Sequence, residues 1–185
     1  MRLQDQATAG ARMPQVTIRG ERLTLRPLHW PDAPQLALYT ADRRVAMATR
    51  SIAHPLPQGA ADDYIARALA ADREEDVWAM DGSRQGSAGL LGVISLKPLD
   101  RGQSQVGYWV APAFWNTGLA SEAVRLLVEA NPQGSRTLFA EVFQDNPVSA
   151  RVLTKAGFDY IGDAEAWCVA RGRIVPTWTY LRQMG

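Results

Sequence analysis

The chain has 185 residues, enough for one domain that buries on the order of 70% of the surface an unfolded chain exposes. Lys and Arg number 20 against 19 Asp and Glu, and the formal net charge of +1 leaves no electrostatic footprint for a nucleic-acid polymer. Cys168 is the single cysteine, so no internal disulfide forms; His29 and His54 are the only histidines, so no metal is expected; and no apolar run reaches the roughly 20 residues that span a bilayer, so no membrane partner and a cytoplasmic location are expected.

In chain order, residues 1–14 are polar and Ala-rich without periodicity and read as a flexible tail ahead of a single domain over residues 15–185. Residues 16–26 (VTIRGERLTLR) read as a strand interrupted at Gly20, with Leu23 and Leu25 on one side and Arg22, Thr24 and Arg26 on the other; Pro27 closes it. After His29-Trp30-Pro31 a helical stretch carries Leu36 and Tyr39 on one face, passes Arg43, Arg44 and Met47, and runs into an extended SIAHPLP segment, together a lid or wall. Residues 60–71 read as a helix with Tyr64, Ile65, Ala68 and Leu69 as its apolar side, ending in a solvated acidic cluster of Asp72, Glu74, Glu75 and Asp76. Strands over 77–80 and 90–96 flank a Gly/Ser-rich turn, which makes the first half an antiparallel meander.

The chain is organised around residues 104–130. Val106, Tyr108 and Val110 alternate as in a strand, whereas Leu119, Ala123, Leu126, Leu127 and Ala130 share one helical face. Between them the turn ends in Gly118, and the small residues Ala120 and Ser121 open the helix. Four unpaired N–H groups gather there with about half a positive charge, which suits an anion, although an ordinary tight turn has the same pattern. A stop at residues 131–134 precedes a strand over 137–143, parallel to the earlier one, and this completes a βαβ unit. Asn146 then caps a helix that starts at Pro147 and ends at Gly157. Strands over 158–169 and 174–181 form a terminal hairpin around Arg171-Gly172-Arg173. The expected class is α/β, with a mixed, mostly antiparallel sheet of about seven strands, a central parallel βαβ pair and helices on both faces.

GYWVAPAFWNTGLASEA resembles the acetyl-CoA signature of the GNAT superfamily of N-acetyltransferases, and DNPVSARVLTKAGF resembles the second signature of that family, in its order and spacing. RLTLRPL and HPLP resemble the Rim-like branch, so the likeness covers about residues 16–182. It implies two central strands that splay apart around the pantetheine arm of acetyl-CoA. Backbone of Trp109, Val110 and Ala111 would hold pantetheine, and N–H groups of Asn116, Thr117, Gly118, Leu119, Ala120 and Ser121 would hold the pyrophosphate. Trp115 and Thr117 stand where the family more often has a cation or polar residue, and Leu153 stands where many relatives have a Tyr.

The implied reaction is transfer of acetyl from acetyl-CoA to an amine acceptor, by direct attack, in a monomer or homodimer. It needs an oxyanion donor, for which the N–H near Val110 is expected, and a hydrogen-bond donor to the thiolate, a role that falls to Ser149. Asn146 would hold pantetheine or cap its helix, two compatible roles. Glu141 and His54 are the candidate bases, and Trp30, Tyr39, Met47, His54 and Tyr108 the candidate acceptor pocket. A non-catalytic acyl-CoA-binding module on the same fold is the alternative.

Overall fold

The computed structural model describes residues 14–86 and 89–185. All of the expected tail except Pro14 lies outside these residues, as do Ser87 and Ala88 of the Gly/Ser-rich turn.

Eight strands form one sheet in the order β1-β2-β3-β4-β5-β6-β8-β7. Its members are β1 (Ile18–Arg19), β2 (Thr24–Pro27), β3 (Asp76–Asp81), β4 (Leu90–Leu99), β5 (Gln103–Val110), β6 (Thr137–Phe143), β7 (Asp159–Cys168) and β8 (Arg173–Gln183). Every neighbouring pair is antiparallel except β5 and β6. The crossover between those two is α4 (Leu119–Ala130), and α5 (Pro147–Lys155) follows β6. The first half of the chain supplies α1 (Ala33–Thr40), α2 (Arg43–Ala48) and α3 (Ala60–Leu69).

Period-two alternation sends most of the strand residues to two large cores, and Phe143, Ala166, Cys168 and Val175 form a third, smaller one at the β6–β8–β7 end. Trp78, Met80, Ile94, Leu96, Val106, Val110, Leu138, Ala140 and Val142 pack with Leu119, Ala123, Leu127 and Leu153 of α4 and α5. On the other face Val77, Ala79 and Val93 pack with Leu36 of α1 and Ile65 and Ala68 of α3. The sheet is therefore covered on both sides, as expected.

Four expectations need correction. The stretch over 16–26 is two strands folded on each other, Ile18 opposite Leu25, with the Gly20 N–H donating to the Leu23 carbonyl at 2.9 Å. This hairpin supplies the eighth strand. The helical stretch past residue 33 is two helices, because Asp42 turns its carboxylate back to the Arg44 N–H at 2.8 Å and starts a new helix. Asp76 does not belong to a solvated helix end: it is 9% exposed at the start of β3, bonded by Arg73 and Gln133, each at 2.7 Å. The terminal turn occupies 169–172, so Arg173 is already the first residue of β8. The cap of α5 is as expected, with Asn146 Oδ1 accepting from the Ser149 N–H at 3.3 Å and Gly157 at φ 78°.

Candidate active site

The two parallel strands pair only from Gln103–Thr137 to Val106–Ala140. Beyond that β5 stays with β4 as far as Val110, opposite Gly92, and β6 stays with β8 as far as Phe143, opposite Thr177. A gap opens between residues 107–110 and 141–143. The Ala111 N–H donates to the Leu91 carbonyl at 2.9 Å, and the antiparallel register then turns the backbone polar groups of Trp109 toward β4 as well. Those of Tyr108 and Val110 face the gap. Of the three residues expected to line pantetheine with backbone, only Val110 offers its N–H there; its carbonyl already accepts from Trp115 Nε1 at 2.7 Å.

Below the gap lies the turn into α4. Asn116 and Gly118 take positive φ, 60° and 83°, which turns successive N–H groups toward the helix start. Thr117 Oγ1 closes the loop by donating to the Phe114 carbonyl at 2.6 Å. Leu119 is buried and Ala120 and Ser121 are half-buried, so the approach to the helix terminus is over backbone.

The positive charge absent from positions 115 and 117 arrives from elsewhere in the chain. Arg22, in the β1–β2 turn, donates from Nη1 to the Thr117 carbonyl at 2.6 Å and from Nε to Glu122 Oε2 at 2.8 Å, while its N–H reaches Glu122 Oε1 at 2.8 Å. Its Nη2 would lie 3.2 Å from a Cβ placed on Gly118. Burial pushes the Glu122 carboxyl up, but the Arg22 bonds outweigh it and hold the group below the usual carboxylate range. On the far side of the turn the Arg44 guanidinium lies 5.5 Å from the Trp115 ring centroid. Sequence reading assigned neither arginine to the turn. Alternation did place Arg22 opposite Leu23 and Leu25, which was the one signal available.

Tyr108 is on the same side of the sheet as Val106 and Val110, and there its hydroxyl lies 2.8 Å from Ser149 Oγ and 3.1 Å from the Ser149 carbonyl. It belongs with Ser149, on the face carrying α4 and α5, and is removed from the expected acceptor pocket. Burial raises the Tyr108 hydroxyl well above its ordinary value, so the group keeps its proton. Leu153 is fully buried and packs in the core.

Glu141 points to the opposite face, since its neighbours Ala140 and Val142 fill the α4 core. Its Oε2 accepts from Arg50 Nη1 at 2.7 Å. Residues 47–50 are stitched to the β7–β8 end: the Met47 carbonyl accepts from Arg171, the Arg50 carbonyl from the Val169 N–H at 2.9 Å, and the Thr49 carbonyl from Cys168 Sγ at 3.3 Å. Tyr39 packs edge-on to Phe114, with ring centroids 6.5 Å apart. Met47 and Glu141 are thus joined through this segment. Trp30 is 55% exposed in the short turn before α1, and His54 is exposed and near enough to Asp42 to help lower its carboxyl, after the larger effect of Arg44. No hydrogen bond or ring contact among the described residues ties Trp30 or His54 to Met47 or Glu141.

A model of the acetyltransferase (GNAT) domain matches residues 22–159. The chain belongs to this family. A curated relative, the uncharacterized N-acetyltransferase YoaA of Bacillus subtilis, is 30% identical over 101 residues, which is 52% of this chain and 57% of that protein's length. Among solved structures, RimJ of Mycobacterium smegmatis in complex with a CoA disulfide has a TM-score of 0.76 at 16% identity, over 91% of this chain and 87% of that one. Spermidine N-acetyltransferase of Vibrio cholerae in complex with CoA and spermine has 0.74 at 15%, over 88% and 96%. The microcin C7 self-immunity acetyltransferase in complex with acetyl-CoA and AMP has 0.75 at 15%, over 89% and 93%. These likenesses show the GNAT fold. Among the described residues no helix is long and apolar enough to cross a membrane, and no cluster of His, Cys, Asp and Glu is grouped to hold a metal ion.

Proposed function

We propose that this GNAT protein transfers an acetyl group from acetyl-CoA to a primary amine by direct attack in a ternary complex. The observation that carries the reading is the break in β5–β6 pairing after Val106 and Ala140, beside a helix start ringed by outward N–H groups and flanked by Arg22. Pantetheine, a chain of amides, fills such a break as an added strand along the exposed backbone edge of Tyr108, which leaves the Val110 N–H for the thioester oxygen. The pyrophosphate rests on the N–H groups of residues 116–121. Asn146, already committed to the Ser149 N–H, contributes at the rim of the same gap.

The amine nitrogen attacks the thioester carbon from the Glu141 face, and the Val110 N–H steadies the oxyanion. The amine proton leaves to Glu141, directly or through a water; Arg50 holds only Oε2 of that carboxylate. As the C–S bond breaks, the thiolate accepts a hydrogen bond from the Ser149 hydroxyl, which in turn accepts one from Tyr108. The supporting feature is placement: hydroxyl donor and carboxylate lie on opposite faces of the sheet, with the gap between them. The RLTLRPL and HPLP segments favour the Rim-like branch, which includes ribosomal-protein N-terminal acetyltransferases, so the acceptor is a peptide N-terminus or a small amine.

Thiol release from acetyl-CoA, followed across a panel of peptides and small amines, tests the reading. Amine-dependent release with an acetylated product supports it. Tight acetyl-CoA binding without turnover on any amine would make the chain an acyl-CoA-binding module.

A further inference from the structure

A cavity of about 550 Å³ opens between α2, the β6–α5 junction and the β7–β8 turn, lined by Arg43, Arg44, Met47, Asp145, Arg171 and Arg173 among others. It lies next to the proposed chemistry, since Asp145 precedes the α5 cap Asn146, and Met47 and Arg50 belong to the segment that reaches Glu141. Its charge is one-sided. Asp42 is held by Arg44 at 2.7 Å, Asp145 by Arg171 at 2.5 Å, and Glu141 beside it by Arg50 at 2.7 Å. Each acid is thus matched by an arginine, and the exposed side chains of Arg43 and Arg173 make no hydrogen bond or close ion pair among the described residues, although the Arg173 charge is near enough to Asp145 to help hold its carboxyl down.

Part of this surface is built rather than loose. The Arg171 side chain is 14% exposed, lies 4.9 Å from the Phe143 ring centroid and donates from Nε and Nη2 to the Met47 carbonyl at 2.9 and 2.6 Å. The bond from Arg171 keeps the Asp145 carboxyl below its usual range, so that acid stays paired at neutral pH. Arg171 therefore fixes the floor, and the exposed guanidinium groups of Arg43 and Arg173, neither of them hydrogen-bonded, stand at the rim.

Resting on the acetyltransferase reading, we infer that the acceptor is an amine that carries a negative group, a carboxylate or a phosphate ester, which the rim arginines Arg43 and Arg173 bind while the amine reaches Glu141. Two guanidinium groups offer forked donors to either anion, and a polycation meets like charge at the same place. Polyamines are thus poor acceptors for this chain.

The test uses the full chain and short peptides of equal length with a free N-terminus, in which the residues after the amine are Glu, phosphoserine, Ser or Lys, with spermidine as a further acceptor. Expected is a kcat/KM higher for the Glu and phosphoserine peptides than for the Lys peptide by about tenfold or more, the gap narrowing as salt is added. The Glu and phosphoserine arms separate the two sources of the anion. Replacing both rim residues, Arg43→Glu with Arg173→Glu, should invert the order, while Arg43→Lys with Arg173→Lys retains it and the KM for acetyl-CoA stays within a few fold. Equal kcat/KM across the peptides overturns the inference. So does a charge-reversed variant, folded by its thermal melt, whose defect lies in the KM for acetyl-CoA, since the cavity would then serve the cofactor. Absence of transfer to every amine sinks the acetyltransferase reading itself, an outcome distinct from transfer without charge preference.

Discussion

A Ser hydroxyl alone is a weak partner for a departing thiolate, and the bond between Ser149 and Tyr108 changes what it can supply. Tyr108 can donate to Ser149 Oγ or to the Ser149 carbonyl, and only the first arrangement frees the Ser149 proton for sulfur. Ser149→Ala should lower kcat by about 10²- to 10³-fold, the lower half of the range for general-acid help, with acetyl-CoA affinity within a few fold. Tyr108→Phe keeps the Ser149 hydroxyl but removes its donor, so a loss of about tenfold in kcat is expected. Steady-state kinetics on one accepted amine, with melts to show that both variants fold, check the pair. A Ser149→Ala enzyme with wild-type kcat, when chemistry limits turnover, would make that hydroxyl structural. Asn146→Ala should instead cost about 1 kcal/mol of stability, read from denaturant melts, because it removes the α5 cap.

Between elements, the important joint is the one that brings the β1–β2 hairpin to the start of α4. Gly20 permits it: a Cβ there would lie 2.5 Å from Leu126 Cδ1, 2.8 Å from Glu122 Oε1 and 2.9 Å from the Leu23 carbonyl. Gly20→Ala should therefore destabilise by about 1–3 kcal/mol and loosen Arg22 with the turn, which denaturant melts and calorimetry with acetyl-CoA would both register. Arg22→Ala should weaken acetyl-CoA binding by roughly tenfold, since it removes a charge beside the pyrophosphate and leaves the Thr117 carbonyl and Glu122 Oε2 without the guanidinium, while the backbone N–H at position 22 still reaches Glu122 Oε1. Gly118→Asp should weaken it further, by adding a side chain at φ 83° and a negative charge on the anion site. Unchanged affinity in both variants would remove the phosphates from this turn.

The same joint sets a pH dependence. The Glu122 carboxyl is held below its usual range, so its contribution to stability is complete above the unfolded value, about 4.3. It is lost as pH falls through the lower folded value. Melting temperature should be level from neutrality to about pH 5 and fall in stronger acid, and Glu122→Gln should flatten part of that acid slope. An acid slope identical to that of the wild type would show that the pair contributes little.

Across the whole molecule, the elements legible in the sequence are those specified locally. The α5 cap, its Pro147 start and its Gly157 stop stand within one short stretch, and the strand-turn-helix around Gly118 needs only periodicity and one glycine. The site is less legible because its partners are distant in sequence. Arg22 meets Glu122 across 100 positions and Tyr108 meets Ser149 across 41, and no local pattern states which side chains the sheet will bring together. Tyr108 was within reach of inference: sharing alternation with Val106 and Val110 puts it on the core face with α5, away from the acceptor side. The hairpin at Gly20 read as one strand because its turn is tight and its first strand has only two residues. Cys168, fully buried and donating to the Thr49 carbonyl, is a packing residue.

The central claim is direct acetyl transfer in the β5–β6 gap, and following an isotopic label on the acetyl group through a single turnover tests it. With acetyl-CoA alone, the label should remain on CoA and none should appear on the protein, Cys168 included. On adding an accepted amine it should pass to the amine in one step, at a rate reduced in Ser149→Ala and abolished at low cofactor concentration in Gly118→Asp. Label trapped on the protein before the amine arrives, or retained on CoA with every amine while binding is intact, would contradict the account.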